Sequence, residues 1–303
     1  MNTFLKRGLF GVAATVVVAG AVWLEHQNIL ASPIEADDVE PLAILSDDIT
    51  AKNQREIESF SVPGFYARFY DNQAAIVQVG DQQYELQENL NDPDSSAHAK
   101  VVHNIESGHT IIIFKGMDKP GFDEGAGIFG FVGDTFGHHG DSADGCLSDQ
   151  VRFFEQEYLR ILQDPNVPSV ELIGYSIGST PANYLVGQYG AITTNIADLG
   201  VPSGHFVEAC ENGHFPLVNE EFNANLAANI VGLELRADGL GGAIGDIGPQ
   251  HGEQITLDEN DLNLIGAFHV PQAYEATVIE HFPDEPEAVV VEVSNNESNF
   301  EPF

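Results

Sequence analysis

The sequence predicts an α/β fold, with a mostly parallel central sheet and helices on both of its faces. Short apolar runs rich in β-branched residues at 110–114, 170–173 and 230–235 are typical of buried strands. Segments with helical spacing of apolar residues separate these runs, and parallel strands need such crossover connections. A chain of 303 residues with 43% hydrophobic content can also bury one large core.

The predicted elements alternate along the chain between helix and strand. Residues 149–162 have apolar side chains near the helical period, and Ser148 can cap that helix. A last strand is predicted at 288–293, and β-rich runs within 65–90 predict small antiparallel strands at a sheet edge. The glycine-rich residues 116–145 are predicted to form a functional loop or lid. The central alternation comprises helix 149–162, strand 170–173, helix 180–188, a strand near 196–199, helix 219–229 and strand 230–235.

The first 24 residues have the pattern of a signal peptide or a membrane anchor. Lys6 and Arg7 precede an uncharged apolar run at 8–24. Because positive flanks stay on the cytoplasmic side, the rest of the chain is expected to be exported to the periplasm, secreted, or anchored outside the cytoplasm. Residues 8–24 would then allow membrane association. Cys146 and Cys210 could pair in such an oxidising compartment or remain thiols.

Composition divides the remaining chain into a linker and a folded domain. Residues 25–60 are polar and acidic with spaced prolines, which predicts an extended acidic linker. Residues 61–303 are predicted to form the folded domain, with an acidic C-terminal tail. The formal net charge is -36, from 47 acidic and 11 basic residues. Since such a surface repels phosphate, nucleic acid is not an expected partner.

The pentapeptide Gly174-Tyr175-Ser176-Ile177-Gly178 has the G-x-S-x-G pattern of a nucleophile elbow. It follows a predicted strand and precedes a predicted helix, which is the context that the pattern requires. Glycine at both ends lets the strand and the helix approach closely enough to close a sharp turn. A serine on this turn would hold its hydroxyl clear of the sheet, so Ser176 is the candidate nucleophile.

A serine hydroxyl needs a general base, and the base needs an acid that fixes its tautomer. In this fold the three residues follow the chain order Ser, Asp, His. Asp238, which follows a predicted strand, is the first choice of acid, and Asp246 is the alternative. His269 is the first choice of base, and His251 and His281 compete for the role.

The oxyanion of a tetrahedral intermediate needs two backbone N–H donors. Ile177 is predicted to supply one donor, and Met117, which follows Gly116 and a predicted strand, the other. The chain has no phosphate-binding loop, dinucleotide fingerprint or C-x-x-C pair, so no cofactor is predicted. Several ligand-type side chains occur together in a glycine-rich acidic stretch, but we interpret them as solvated and predict no metal. They are Asp134, His138, His139, Asp141 and Asp144.

Four segments of the chain together resemble the lipase class 3 type of α/β-hydrolase. In that family a strand ending in F-x-G-T, a G-H-S-x-G elbow and a strand ending in G-x-P recur in this order. Tyr175 replaces the family's histidine, and Met117 replaces its small hydroxyl residue. The resemblance covers roughly residues 108–282. The segments are IIIFKG at 111–116, VELIGYSIGS at 170–179, LGVPSG at 199–204 and RADG at 236–239.

The resemblance implies an α/β-hydrolase fold and a serine esterase or lipase that acts in lipid metabolism. By this likeness, Ser176 is the nucleophile, Asp238 the acid and His269 the base, and Met117 and Ile177 form the oxyanion hole. The expected partner is a small-molecule or lipid ester, cleaved through an acyl-enzyme. Two alternatives stay open: an acyltransferase with the same triad, and a non-catalytic envelope protein that keeps the fold for interaction.

Overall fold

The part of the chain that the structure describes contains nine strands, five complete α-helices and two 3-10 turns. The structure, a computed structural model, describes residues 51–70, 72–92, 97–116, 149–198, 200, 220–235, 250–257 and 271–293. The strands are β1 (Ala74–Val79), β2 (Gln82–Asp92), β3 (Ala97–Asn104), β4 (Thr110–Phe114), β5 (Val170–Tyr175), β6 (Thr193–Ile196), β7 (Ile230–Leu235), β8 (Glu253–Leu257) and β9 (Ala288–Val293). The helices are α1 (Val62–Tyr70), α2 (Asp149–Gln163), α3 (Ser179–Tyr189), α4 (Glu220–Asn229) and α5 (Pro271–His281).

The strands form one mixed sheet in the order β8-β7-β6-β5-β4-β3-β2-β1-β9. Neighbouring strands from β4 to β8 run parallel. The remaining pairs, which involve β1, β2, β3 and β9, are antiparallel. The carboxyl ends of the parallel strands therefore meet at one edge, which we call the carboxyl edge, and their amino ends meet at the opposite amino edge. The predicted α/β class is confirmed.

Helices cover both faces of the sheet, as predicted. α2, α3 and α4 pack on one face, in a buried apolar cluster that includes Phe114 and Leu172. α1 and α5 pack on the other face, in a second cluster that includes Ile113 and Ile173. Residues of β4 and β5 alternate between the clusters because successive side chains of a strand point to opposite faces.

Helix α1 corrects one prediction. The sequence pattern predicts that the β-rich runs within 65–90 begin as a strand at Phe65, but β1 and β2 begin only after this helix. Val62, Phe65, Tyr66 and Phe69 are all buried, at the spacing of a helix's apolar face. Aromatic and β-branched residues favour strands, yet burial of a helical face overrides that local preference. The antiparallel pair β1 and β2 is confirmed.

β6 lies earlier in the chain than its prediction near 196–199. All its side chains are buried, and Ala197 directly after it has a φ of 54°. The predicted last strand is confirmed as β9. β3, β8 and α5 are elements that the sequence pattern does not predict. β3 contains the polar Lys100 and His103, and β8 buries only Leu257 while its other positions are partly or fully exposed, so neither has the continuous apolar run of a central strand.

Residues 51–60, which the sequence assigns to the linker, pack across the amino edge. Lys52 donates from Nζ to the carbonyl of Leu162 at 2.8 Å. Arg55 donates to the carbonyl of Thr193, the first residue of β6, at 3.1 Å. This segment therefore belongs to the folded part of the chain.

A fully buried carboxyl group on β5 anchors the same segment. Glu171 accepts on Oε2 the backbone N–H groups of Glu56 and Ile57, at 2.7 and 3.2 Å. Two N–H groups at the amino edge are thereby satisfied away from water, where an unpaired group would be costly. Glu171 thus links the first described segment to the strand that leads to Ser176.

None of the helices in these described ranges is long and apolar enough to cross a membrane. The predicted signal or anchor segment at 1–24 lies outside the described residues, as do Cys146 and Cys210.

Replacing Glu171 by alanine should lower the free energy of unfolding by about 2–4 kcal/mol, because two backbone N–H groups lose their acceptor. Glu171→Gln should be less damaging, since its amide oxygen can still accept both bonds. Urea unfolding followed by circular dichroism measures the difference. Glu88→Ala is the matched control: Glu88 pairs with Arg160, but its side chain is 47% exposed. That variant should lose less than about 1 kcal/mol, and an equal loss in both would contradict the role given to Glu171.

Candidate active site

The turn that contains Ser176 lies at the carboxyl edge, between β5 and α3. β5 ends at Tyr175, residues Ser176–Gly178 form one 3-10 turn, and α3 begins at Ser179. Ser176 has a φ of 52°, in the left-handed region that costs a residue with a side chain roughly 1 kcal/mol. A strained serine between a central strand and a helix is the backbone geometry that the G-x-S-x-G pattern predicts.

Gly174 and Gly178 allow the chain segments around this turn to touch. A Cβ at position 174 would lie 2.5 Å from Oδ1 of Asn195. A Cβ at position 178 would lie 2.6 and 2.7 Å from the carbonyl oxygens of Lys115 and Phe114. These distances leave no room for a side chain, so packing requires glycine at both positions.

The end of β4 lies directly against the turn. Gly116 follows this strand, and a Cβ there would lie 2.4 Å from the ring of Tyr175. The N–H of Gly116 donates to the hydroxyl of Tyr66 at 3.1 Å, which fixes the chain at this point. Met117, one predicted oxyanion donor, is the next residue and lies outside the described residues. Ile177, the other predicted donor, is buried within the 3-10 turn.

Asp238 and His269, the predicted acid and base, also lie outside the described residues. The described elements that flank them in sequence can be located. β7, which precedes Asp238, ends at Leu235 on the carboxyl edge. α5 begins at Pro271, shortly after His269.

The direction of α5 bears on two of the candidate bases, His281 at its end and His269 before its start. Phe282, just after α5, stacks on Phe60 in the segment that crosses the amino edge, with ring centroids 4.0 Å apart. His281 therefore lies toward the amino edge, and its Nδ1–H donates to a carbonyl of its own helix at 2.9 Å. The start of α5, which follows His269 in sequence, lies toward the carboxyl edge. A helix of this length spans about 16 Å, so His281 is far from Ser176.

His251, the remaining candidate base, precedes β8. Its Nε2 is buried and has no hydrogen-bond partner among the described residues. Burial lowers the pKa of His251, and the negative charge of Asp198 opposes the shift. The adjacent Gly252 packs on the carbonyl of Ile230, where a Cβ would approach to 2.2 Å. Gly252 therefore lies near the amino end of β7, whereas the charge of Asp198 acts on His251 from the carboxyl end of β6.

A serine–histidine contact that sequence reasoning misses lies at the amino edge. Oγ of Ser169 is 2.6 Å from Nδ1 of His109, and both residues are buried. Nε2 of His109 is 3.5 Å from Oε2 of Glu171. The length of β5 separates Ser169 from Ser176 by about 20 Å, at roughly 3.3 Å per residue. No local pattern marks the contact, because the two residues precede different strands and meet only when β4 pairs with β5.

Asp198 is a second candidate that sequence reasoning misses. It follows β6, the neighbour of β5, and is 1% exposed. Burial raises the pKa of its carboxyl group, and hydrogen bonds from Gly200, Asn183, Ser179 and Asn195 oppose part of the shift. An acidic residue directly after a buried strand next to the elbow strand is the signal that could have identified it.

The ligand-type residues from Asp134 to Asp144, and the alternative acid Asp246, lie outside the described residues. Within the described ranges, histidine, cysteine, aspartate and glutamate side chains form no group of three or more that could hold a metal ion.

The chain is similar to the crystal structure of a mutant form of MDLA from Penicillium cyclopium. The likeness has a TM-score of 0.37 and 12% sequence identity, and covers 70% of this chain and 81% of that chain. At this level of similarity, it assigns neither a family nor an activity. No family model and no curated protein matches the sequence.

Because Ser176 has a left-handed backbone and Ser179 a helical one, glycine and alanine should rank in opposite order of stability at these two positions. Ser176→Gly should be more stable than Ser176→Ala by about 1 kcal/mol, because glycine adopts a positive φ without strain. Ser179 has a helical φ of -68°, so Ser179→Gly should be less stable than Ser179→Ala by roughly 1 kcal/mol. Chemical denaturation of the four variants checks this. The same order of stability at both positions would contradict the geometry of the turn.

Proposed function

We propose that the protein is a serine hydrolase of the α/β-hydrolase type, which cleaves carboxylic esters through an acyl-enzyme on Ser176. The observation that carries the proposal is the φ of 52° at this serine, directly after a central strand. Strain of this kind persists where the surrounding structure enforces it and concentrates at functional sites. Glycine would adopt the same φ with less strain, so folding alone gives no reason for a serine here.

In the proposed reaction, Oγ of Ser176 attacks the ester carbonyl carbon while the base accepts the hydroxyl proton. His269 is proposed as the base, and Asp238 as the acid that orients its imidazole. Backbone N–H groups of Ile177 and Met117 would stabilise the oxyanion of the tetrahedral intermediate. The bond to the alkoxide then breaks, and the alcohol leaves with the proton from the base. Water attacks the acyl-enzyme by the same route and releases the carboxylic acid.

The geometry of the described residues supports several parts of this mechanism. Gly116 touches Tyr175, so the chain continues toward Met117 from a point beside the serine. β7 leads toward Asp238 at the same edge of the sheet. His281 lies toward the opposite edge, which favours His269 or His251 as the base.

We further propose a lipid-like ester as the substrate, and an exported or membrane-anchored location with the catalytic domain outside the cytoplasm. The support comes from the apolar run at 8–24 and from the resemblance of the elbow and oxyanion segments to class 3 lipases. p-Nitrophenyl esters of rising chain length would separate esterase from lipase preference. Product analysis with an added alcohol would distinguish hydrolysis from acyl transfer, and absence of turnover on every ester would favour a non-catalytic envelope protein.

Labelling of the full-length protein with a serine-directed fluorophosphonate tests the nucleophile. Wild type should label and Ser176→Ala should not, because the probe reacts with an activated serine hydroxyl. Ser169→Ala is the matched control, since Ser169 contacts a histidine at the other edge of the sheet, and it should label like wild type. If wild type fails to label, or Ser176→Ala labels equally, the proposal is wrong.

Single alanine replacements of His269, His251 and His281 identify the base. His269→Ala should lower kcat by roughly 10⁴- to 10⁶-fold, as loss of a triad member does. His281→Ala should keep kcat within about threefold, because that side chain lies near the amino edge. Steady-state kinetics with p-nitrophenyl butyrate measures all three. A large loss in His251→Ala, with little change in His269→Ala, would reassign the base to His251.

A further inference from the structure

A buried carboxyl group lies next to the helix that begins just after Ser176. Asp198 follows β6, where Ala197 has a φ of 54° and leaves the strand geometry. Its Oδ1 accepts a hydrogen bond from Nδ2 of Asn183, on α3, at 2.9 Å. The N–H of Gly200 donates to the same oxygen at 3.0 Å. Asp198 therefore joins the end of β6 to the first turns of α3.

The hydrogen bonds continue to the start of the elbow sequence. Nδ2 of Asn195 donates to Oδ1 of Asn183 at 2.6 Å, and the hydroxyl of Thr193 donates to Oδ1 of Asn195 at 3.0 Å. The same oxygen of Asn195 occupies the space that a side chain at Gly174 would need. The network thus packs against the strand just before the nucleophile.

On its other side, Asp198 is tied to β7 and to the segment before β8. Its backbone N–H donates to Oε1 of Glu234 at 2.6 Å. Nε2 of Gln250 donates to the Asp198 carbonyl at 2.9 Å and to Oε1 of Glu234 at 3.3 Å. Ser179, the first residue of α3, is among the groups that lower the pKa of the Asp198 carboxyl against the effect of burial. Asp198 is therefore the point where β6, β7 and α3 are held together.

We propose that Asp198 is a positioning residue that holds the start of α3, and through it the backbone of Ser176, in the geometry that the reaction needs. The inference rests on the function proposed above. A carboxyl group that is 1% exposed carries a large desolvation penalty, and an apolar side chain would avoid it. Its Oδ2 has no hydrogen-bond partner among the described residues. The carboxyl group therefore acts on its neighbours through the hydrogen bonds that Oδ1 accepts. Displacing a reacting group by about 1 Å can lower the rate about 100-fold. Holding the backbone of Ser176 in place would therefore preserve the reaction rate.

Asp198→Ala and Asp198→Asn in the full-length protein test this role. The rate constant of fluorophosphonate labelling, and kcat and KM for p-nitrophenyl butyrate, are measured on protein whose fold is checked by circular dichroism. Asp198→Ala should lower the labelling rate and kcat by about 10- to 100-fold and change KM by less than about threefold, because the loss falls on the transition state. Asp198→Asn should recover most of both rates, since its amide oxygen can accept the bonds of Oδ1.

Two further variants separate positioning from stability. Glu171→Gln alters an equally buried carboxyl group near the amino end of β5, and it should keep the labelling rate within about threefold of wild type. Asn183→Ala removes one donor and leaves Asp198 in place, so it should also slow labelling, even if Asp198→Ala does not fold. Wild-type rates in Asn183→Ala, or in folded Asp198→Ala, would overturn the positioning role alone. A wild-type protein that does not label would overturn the proposed function and this role with it.

Discussion

The contact between the end of β4 and the turn at Ser176 is the constraint on which the rest of the site depends. Gly116, Gly174 and Gly178 leave no room for a Cβ, so neighbouring segments pack directly against the backbone. Because such packing leaves no free space between the segments, β4, β5 and α3 are fixed relative to one another. The chain must then pass from strand to helix within one 3-10 turn, which is where Ser176 takes its left-handed φ. The strain at the serine is therefore maintained by the whole central part of the sheet.

The two edges of the parallel strands carry polar groups with different tasks. At the amino edge, Glu171 and His109 are buried, and Glu171 satisfies backbone groups of the segment that crosses this edge. At the carboxyl edge lie Ser176 and Asp198. Between the edges, the apolar side chains of β4 and β5 pack in the two clusters and separate Glu171 from Ser176. Open α/β sheets bind ligands at the carboxyl ends of their strands. The polar groups at the amino edge can therefore stabilise the fold without taking part in a ligand site.

Sequence alone predicts the features that depend on a local signal. The apolar runs of β4 and β7 and the glycine-flanked turn are such signals, and these elements are present as predicted. The aromatic residues of α1 favour strands individually, so only packing against the sheet reveals their helical face. Asp198 and the contact between Ser169 and His109 depend on which strands pair, which no short pattern records. Asp238 and His269 follow described strands and remain predictions, since their side chains lie outside the described residues.

The serine at the amino edge and Ser176 differ in the backbone that surrounds them. Ser169 has a histidine nitrogen at 2.6 Å, but its carbonyl accepts the N–H of Thr110 in the sheet. Among described residues with a side chain, positive φ occurs at Gln73, Ser176 and Ala197, and Ser169 is not one of them. An acyl-transfer site needs N–H groups aimed at a developing oxyanion, and the start of a helix supplies such groups whereas a paired strand does not. Ser176 stands just before α3, so the backbone N–H groups at the start of this helix are available for the oxyanion of the proposed reaction, in which His269 is the proposed base.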